Sequence, residues 1–284
     1  MQTLPNTSKA PSVFDRIWAA FTFLTRLPFW SIYQPPKEAY KSVVEFWPLT
    51  GWFTGGLMAL LIYLISPYSL ILAVVFAVVV RLLVTGALHE DGLADFFDGF
   101  GGGGSDRNKI LSIMKDSHIG TYGVLSIVLY VLLLVVCLFL FAGNSPKMTA
   151  LLVFFADPFS KMLAGHMVAL LPYARTEEES KAHNIYKKFS VGSYICFVLQ
   201  GLLPLIPLLF YFWRIVFIVD SSWWIFIVVL GVPVLLFCAL LWFIRKKIGG
   251  YTGDCCGAFC LLLELSVYVT FYLITASITT FLAI

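Results

Sequence analysis

The sequence predicts an all-α, polytopic integral membrane protein, a helical bundle with about seven transmembrane helices. Two observations carry this prediction. The 284 residues are 60% hydrophobic and only 12% charged, whereas soluble domains carry about 25% charged residues. The apolar runs also reach the roughly 20 residues that a helix needs to cross a ~30 Å hydrocarbon core.

Seven such runs follow one another with short connections. They leave no room for a second soluble domain, so residues 1–284 are predicted to form a single membrane-embedded domain. The predicted spans are Pro48–Ser66, Ser69–Leu88, Gly123–Ala142, Met148–Leu171, Ser193–Phe212, Trp223–Ile244 and Ala258–Thr280.

The segment before the first span, residues 1–45, is predicted to be cytoplasmic or interfacial. Phe14–Trp30 mixes aromatic residues with Arg16 and Arg26, and Pro28 should end its helix. We interpret this stretch as an interfacial or re-entrant helix rather than a span. Its composition leaves open whether it only anchors the chain at the membrane surface or takes part in a site.

The lysines and arginines predict the orientation. Of the 17 that lie outside the predicted spans, 15 fall on one side of the membrane, and only Lys147 and Arg214 fall on the other. Cytoplasmic loops carry the excess of positive charge, so the N-terminus is predicted inside and the C-terminus outside. All the polar motifs then share the cytoplasmic face. This favours an enzyme supplied from the cytosol over a transporter, which needs polar groups near the bilayer midplane.

The most informative motif is an acidic stretch directly after the second predicted span. If Leu88–Asp98 is helical, Asp91, Asp95 and Asp98 share one face within about 60°. Three carboxylates on one face repel one another unless a cation lies among them. Mg²⁺ takes such oxygen ligands together with substrate phosphates. The motif therefore predicts metal-assisted phosphoryl transfer, with these three aspartates as metal ligands.

Two glycine-rich segments accompany the acidic motif. For Gly99–Gly104 we favour a mobile linker or lid over a phosphate-cradling loop, because the sequence lacks a Walker A ending. Gly249–Asp254 precedes the last span, where its glycines permit close backbone approach and Asp254 offers another oxygen ligand. Residues 89–122 are expected to form a cytoplasmic active-site loop.

Further polar residues follow in the cytoplasmic loops. Ile110–Met114 suggests a short amphipathic helix on the membrane, and the polar residues at its end favour a ligand-facing corner over a solvated turn. Arg175 emerges directly from the fourth span and could reach a phosphate, whereas the mixed charges at 177–188 are expected to be solvated. The corner residues are Lys115, Asp116, Ser117 and His118.

Four charged residues lie within the predicted spans. Ion pairing inside the bundle is the favoured interpretation for Arg81, Asp157 and Lys161. Glu264, nearly three turns into the last span, is a functional candidate by default. We expect it to face the site, with pairing to Arg81 or Lys161 as the alternative. The six cysteines are expected to be reduced thiols rather than disulfides.

At these motifs the sequence resembles the cobalamin synthase (adenosylcobinamide-GDP ribazoletransferase) family. The matching segments occur in order along nearly the whole chain, and the 85–95 and 113–117 blocks are the most specific of them. The segments are Phe23–Pro28, Phe46–Gly51, Thr85–Asp95 with Asp98–Gly99, Ile113–Ser117 through Gly120, Tyr173–Arg175, and Gly249–Asp254 with Gly257–Ala258 and Glu264.

The resemblance implies a reaction and a location. Adenosylcobinamide-GDP reacts with α-ribazole or its 5′-phosphate to give adenosylcobalamin or its phosphate and GMP. The implied enzyme is Mg²⁺-dependent, lies in the bacterial inner membrane among lipids, and binds no nucleic acid. The resemblance leaves open whether the protein forms a homo-oligomer.

The resemblance also implies roles for particular residues. Asp91, Asp95 and Asp98 become metal ligands and, with Asp116, catalytic residues. The implied substrate-binding residues, several of them phosphate contacts, are His89, Lys115, Ser117, His118, Arg175, Thr252, Asp254 and Glu264.

Two rival functions remain open at this stage. A CDP-alcohol-type phosphotransferase of lipid head groups also uses spaced aspartates, but its motif places an arginine where this chain has Asp95. A cation-coupled transporter would use Arg81, Asp157 and Glu264 as a polar path, and inverted repeats would support it.

Overall fold

The structure is a computed structural model that describes residues 10–175, 186, 189–216 and 224–282, with backbone only at 214–216 and 278–282. Its regular elements within these ranges are helices. Twelve are α-helices: α1 Val13–Leu24, α2 Phe29–Ile32, α3 Trp47–Ile65, α4 Leu70–Thr85, α5 Leu88–Gly103, α6 Arg107–Lys115, α7 Thr121–Asn144, α8 Pro146–Leu170, α9 Val191–Leu202, α10 Leu205–Val216, α11 Trp224–Ile248 and α12 Gly253–Leu282. A 3₁₀ stretch, Lys37–Phe46, precedes α3.

Six stretches of the described chain are long and apolar enough to cross a membrane. The bent pair formed by α4 and α5 makes a seventh if it is counted as one span. This confirms the predicted all-α, multi-pass architecture. The six are Lys37–Ile65, Thr121–Asn144, Pro146–Leu170, Val191–Trp213, Trp224–Ile248 and Gly253–Ser277.

Among the described residues before Lys37, no helix is long enough to span a membrane. Ser12 and Asp15 form a capping box at the start of α1, which is only 12 residues long, too short to cross a bilayer. The helix lies against the 3₁₀ stretch, where Arg16 forms an ion pair with the buried Glu45. The segment is thereby fixed against the start of α3.

A sharp corner between α4 and α5 sets the direction of α5, the helix that carries the acidic motif. The two helix axes differ by 86°, and both corner residues are left-handed, Gly86 at φ 63° and Ala87 at φ 54°. That conformation is unfavourable for alanine. The Arg26 backbone N–H donates to the Val84 carbonyl at 2.7 Å, and the Arg26 side chain covers Gly86, where an added Cβ would lie 2.3 Å from Arg26 Cγ. The N-terminal segment thus holds the corner.

The glycine run at the end of α5 is helical, so the expectation of a mobile linker or lid at Gly99–Gly104 is wrong. Gly99 through Gly103 form the last turns of α5. An added Cβ would lie 2.6 Å from Met114 Cγ at Gly99 and 2.4 Å from Ile110 Cγ1 at Gly103. The glycines therefore let α6 pack directly against α5. The predicted loop 89–122 is a pair of packed helices followed by a short turn.

The predicted ion pairs inside the bundle are present. Lys161 pairs with Asp157 one turn away on α8, and Thr54 of α3 donates a 2.5 Å hydrogen bond to the Asp157 carboxylate. All three side chains are buried. Because buried charges are costly unless paired and hydrogen-bonded, this arrangement is a structural element of the α3–α8 contact.

Glu264 belongs to a second buried charge cluster rather than to the site. Arg81 Nη1 donates to both Glu264 carboxylate oxygens at 2.8 Å, and Arg81 Nη2 donates to the Tyr130 hydroxyl at 2.6 Å. Tyr268 donates to Glu264 at 2.7 Å, and Glu90 lies 3.7 Å from Arg81. The structure thus shows the pairing with Arg81 that the sequence left as the alternative. A carboxylate held by one guanidinium and a tyrosine acts first as a structural partner.

Candidate active site

Two glycines bring the acidic motif and the second glycine-rich motif together. At Gly92 of α5 an added Cβ would lie 3.0 Å from the Asp254 carbonyl oxygen, and at Gly257 of α12 it would lie 3.0 Å from the His89 carbonyl oxygen. The two backbones can approach this closely only because both positions lack side chains. The crossing places Asp91 and Asp254 on the same cavity.

A short backbone pairing adds the segment that follows α8. The Ala174 N–H donates to the Tyr251 carbonyl at 2.8 Å, and the Tyr251 N–H donates to the Pro172 carbonyl at 3.0 Å. Gly250 makes this possible, because a Cβ there would lie 2.4 Å from the Pro172 carbonyl oxygen. The pairing brings Arg175 beside the start of α12.

These elements enclose a cavity of about 150 Å³, which we call the α5–α12 cavity. Its wall combines charged and polar side chains from α5, α12 and the segment after α8 with apolar side chains from α1 and α3. The N-terminal segment therefore contributes to the cavity wall, which settles the question that its sequence left open. The polar lining residues are His89, Asp91, Tyr173, Arg175, Tyr186 and Asp254, and the large apolar ones are Phe23, Leu24, Trp47 and Leu88.

Two carboxylates and one guanidinium dominate the charge of this cavity. Asp91 is exposed, while Asp254 and Arg175 are each only 8% exposed. Arg175 Nη2 lies 3.8 Å from Asp254 Oδ2, and the same nitrogen donates to the Leu111 carbonyl at 3.0 Å. Within the described residues, these two contacts engage one nitrogen of Arg175, and a guanidinium presents five donors in a fork suited to phosphate.

Asp98 has different surroundings from Asp91. It is buried, and its two carboxylate oxygens accept hydrogen bonds from the backbone N–H groups of Gly120 at 2.6 Å and Gly123 at 2.8 Å. These donors belong to the N-terminal end of α7, where backbone N–H groups have no helical partner. Asp98 therefore joins α5 to α7 and does not line the α5–α12 cavity.

Asp95 is half-buried, one turn after Asp91 and one turn before Asp98. It does not line the cavity. Within the described part of the chain, no three histidine, cysteine, aspartate or glutamate side chains are grouped closely enough to hold a metal ion together. The three predicted aspartates share a helix, as expected, but the structure gives them separate surroundings.

Thr252 and His89 are two buried polar residues of this region. Thr252 is fully buried, donates to Asp254 Oδ2 at 3.3 Å, and accepts a hydrogen bond from the Cys255 N–H at 3.3 Å. Thr252 thus caps the start of α12 and orients Asp254. His89 is 8% exposed and lines both this cavity and the small polar pocket that contains Arg81 and Glu264.

The corner after α6 stands apart from the α5–α12 cavity. Lys115, Asp116, Ser117 and His118 are all exposed. His118 Nδ1 lies 2.7 Å from Asp116 Oδ1, and this hydrogen bond raises the pKa of His118 above its usual value and lowers the pKa of Asp116. The imidazolium form of His118 therefore persists to higher pH than that of a free histidine. The mixed charges at 177–188, expected to be solvated, lie outside the described residues.

The residues of the cavity fit a hard divalent cation in part. Asp91 and Asp254 offer carboxylate oxygens at one cavity, the donor type that Mg²⁺ takes, commonly one or two carboxylates with substrate phosphates and waters. Asp98 does not line this cavity, and each of its oxygens accepts one backbone hydrogen bond. The donor set that fits is thus Asp91 with Asp254.

Sequence reasoning missed two features of this region. It did not identify Arg107, which donates to the carbonyl oxygens of Ile248 at 3.0 Å and Ala174 at 2.6 Å. It also missed the contribution of Tyr186 to the cavity wall. The spacing of Arg107, Leu111 and Lys115, four residues apart on an amphipathic helix, was an available signal for the first feature.

The comparisons with known proteins cover most of the chain. The family model described as "Cobalamin-5-phosphate synthase" matches residues 16–272. No solved structure matches the chain.

Curated relatives cover most of both chains. The chain is 32% identical over 254 residues to an adenosylcobinamide-GDP ribazoletransferase of Shewanella woodyi, covering 88% of this chain and 92% of that one. It is 33% identical to the protein of that name from Pseudoalteromonas atlantica, covering 90% of each chain. The identity to the one from Leptospira interrogans is 30%, covering 88% and 92%. With its motifs in order and its family match running from α1 into α12, the chain belongs to the cobalamin-5-phosphate synthase family.

Proposed function

We propose that this protein is an adenosylcobinamide-GDP ribazoletransferase whose active site is the α5–α12 cavity. The reaction joins adenosylcobinamide-GDP to α-ribazole or its 5′-phosphate and releases GMP. The single observation that carries the proposal is the convergence of Asp91, Asp254 and Arg175 on one cavity, from three motifs that are distant in the sequence.

The chemistry requires one bond to form and one to break. A ribose hydroxyl of the ribazole attacks the phosphorus that bears the cobinamide arm, and the bridging bond to the GMP phosphate breaks. The hydroxyl proton leaves, and negative charge develops on the departing GMP oxygen. Catalysis of such a step depends chiefly on positioning and on stabilising this charge.

The residues of the cavity suit these tasks. The Arg175 guanidinium is buried and held by the Leu111 carbonyl, so it is fixed before any ligand binds. A fixed donor of this kind can stabilise phosphate charge without reorganisation. Asp91 is the exposed carboxylate of the cavity and is our candidate to accept the hydroxyl proton or to hold a cation. Phe23, Leu24 and Trp47 provide an apolar wall that limits water.

We also propose that Asp91 and Asp254 hold Mg²⁺. When bound there, the cation would neutralise diphosphate charge and stabilise the departing GMP. Two protein carboxylates leave the remaining positions to phosphate oxygens and water, as Mg²⁺ commonly requires.

The size of the cavity limits what it can contain. A volume of about 150 Å³ accommodates reacting phosphate groups but not a corrinoid ring. The ring and the guanine base would therefore lie outside the cavity, with only the diphosphate and the ribose hydroxyl inside. We place the site on the cytoplasmic side of the bacterial inner membrane, because that is the side that the positive loops indicate.

The test is turnover by the purified full-length protein in detergent or liposomes. We expect adenosylcobinamide-GDP and α-ribazole to give GMP and the corrinoid product in equal amounts, with a rate that depends on Mg²⁺. CDP-diacylglycerol with an alcohol acceptor, offered under the same conditions, should give no CMP. Release of CMP without release of GMP would overturn the proposal in favour of a lipid head-group transferase.

A further inference from the structure

A second, open depression lies on the far side of Arg175 and has no role in the chemistry above. It is a groove of about 490 Å³ between α6 and the segment after α8, which we call the basic groove. Arg175 lines both this groove and the α5–α12 cavity. The other lining residues are Arg107, Asn108, Leu111, Ser112, Lys115 and Ala174.

The described residues that line the basic groove carry charge of one sign. Arg107, Lys115 and Arg175 line it, and the described residues that line it include no acid. Arg107, Leu111 and Lys115 fall at i, i+4 and i+8 on α6, and Asn108 and Ser112 stand beside them, so a single helix face supplies most of the wall. Three cations with an amide and a hydroxyl form a donor set for an anion with several acceptor oxygens.

Two of the cations are held in place by backbone carbonyl groups. Arg107 uses Nε and Nη2 to donate to the carbonyl oxygens of Ile248 and Ala174 at 3.0 and 2.6 Å. Arg175 uses Nη2 to donate to the Leu111 carbonyl at 3.0 Å. These contacts with described residues engage only some of the five N–H donors of each guanidinium. Since a pre-positioned fork loses little side-chain entropy on binding, these two arginines suit phosphate recognition better than mobile lysines would.

We propose that the basic groove binds the phosphate group of a nucleotide monophosphate, with Arg107, Arg175 and Lys115 as its charged contacts. The reaction offers two sources of this chemistry, the 5′-phosphate of a phosphorylated ribazole acceptor and the phosphate of departing GMP. The assignment to a reaction partner rests on the proposed function, whereas the binding of a phosphate rests on the groove alone. Because Arg175 lines both the basic groove and the α5–α12 cavity, a ligand in the groove lies next to the reacting diphosphate.

The experiment measures equilibrium binding to the full-length protein, with GMP and α-ribazole 5′-phosphate as probes and guanosine and α-ribazole as phosphate-free controls. The main variants are Lys115→Gln and Arg107→Gln. Lys109→Gln is the matched control, because Lys109 is exposed on the same helix but does not line the groove. A thermal melt of each variant reports whether it is folded, and Lys115→Gln removes only an exposed side chain.

We expect the dissociation constant of at least one phosphorylated probe to rise about tenfold in each main variant, the usual effect of losing one charge-assisted hydrogen bond. The corresponding nucleoside and the Lys109→Gln variant should show no change. An effect on α-ribazole 5′-phosphate alone assigns the groove to the acceptor, and an effect on GMP alone assigns it to the leaving group. Either result supports the proposal.

Three results would overturn it. One is unchanged binding of both phosphorylated probes in folded Lys115→Gln and Arg107→Gln. The second is an equal loss for nucleosides and nucleotides. The third is an equal loss in Lys109→Gln, which would indicate diffuse surface charge. Binding that follows the prediction in a protein that does not turn over adenosylcobinamide-GDP would reject the proposed function and leave the groove standing.

Discussion

Asp91 and Asp98 stand two turns apart on one helix, yet their surroundings differ. Asp91 is exposed at the α5–α12 cavity, whereas Asp98 is buried and accepts two backbone hydrogen bonds from the start of α7. Helical spacing predicts that the aspartates share a face, but it cannot tell which of them a neighbouring helix end will occupy. That difference depends on tertiary contacts between residues more than 20 positions apart.

Asp98→Asn should therefore reduce stability. An amide keeps one acceptor oxygen but places an NH₂ group against a backbone N–H, so one charge-assisted hydrogen bond is lost at a buried position. We expect a cost of about 1–3 kcal/mol, measured as a lower unfolding midpoint of the purified protein. Asp106→Asn, which keeps an N-cap on the exposed start of α6, is the control and should change the midpoint little. Equal midpoints for Asp98→Asn and the parent protein would contradict the capping role.

Glu264 allows a second test at the residue scale. Glu264→Gln leaves the buried Arg81 without its closest carboxylate, and Glu90 at 3.7 Å compensates only in part. Removing one partner of a buried ion pair costs about 3–5 kcal/mol, so the variant should be much less stable. The double change Arg81→Met with Glu264→Met removes this pair and should recover part of the loss, because Glu90 then loses its cation. A stable Glu264→Gln protein with reduced turnover would instead indicate that Glu264 acts in the active site.

At the scale of elements, the sequence predicts the helices better than it predicts their contacts. Apolar run length identifies the spans because the bilayer sets a minimum length. The acidic helix and the short α6 follow from helical spacing. The prediction of a mobile segment for the glycine run after Asp98 is wrong, because the run is helical. Glycine is permissive both in a free loop and in a helix that another helix must approach closely, so composition alone does not separate the two cases.

The crossing of α5 and α12 shows the same limit. Gly92 and Gly257 lie in two motifs that the sequence marks as important, and only the structure shows that they meet. Their contact decides where Asp91 and Asp254 lie relative to each other. The sequence marks each motif, but it does not show which motifs meet.

Gly92→Ala tests this crossing. Its Cβ would lie 3.0 Å from the Asp254 carbonyl oxygen and 3.3 Å from Gly257 Cα, so the backbones must separate. A shift of about 1 Å at a reacting centre can cost about 100-fold in rate, and we expect a fall in kcat of that order. Gly102→Ala is the matched control, because its nearest contact is the flexible end of Ile113 at 3.3 Å. Equal rates for Gly92→Ala and Gly102→Ala would show that the close crossing is unimportant.

At the scale of the whole molecule, the buried charges argue against an ion pathway. Arg81 pairs with Glu264, and Asp157 pairs with Lys161. Each acid that a cation-coupled transporter would have used thus has a basic partner and a hydrogen-bonding hydroxyl, from Tyr268 or Thr54. Such pairs favour a fixed bundle that supports a site at one face of the membrane.

Reporter fusions test on which face that site lies. We expect fusions at Ser105, Ser180 and Lys247 to report from the cytoplasm, and fusions at Asn144 and Ser221 to report from outside, because 15 of the 17 cations outside the predicted spans lie on the first side. Ser180 and Ser221 lie outside the described residues. A cytoplasmic signal at Asn144 or Ser221 would contradict the alternation of spans.

The most direct measurement of the central claim is the rate of GMP release from adenosylcobinamide-GDP and α-ribazole by Asp91→Asn and Asp254→Asn, with Glu38→Gln as a control at an exposed acid remote from the cavity. If the α5–α12 cavity is the active site, each aspartate variant should lose several kcal/mol of transition-state stabilisation, a fall of at least about 100-fold in kcat/KM. Both should keep the parent unfolding midpoint within a few degrees, and Glu38→Gln should keep the parent rate. Near-normal GMP release by either folded aspartate variant at low Mg²⁺ would contradict the account.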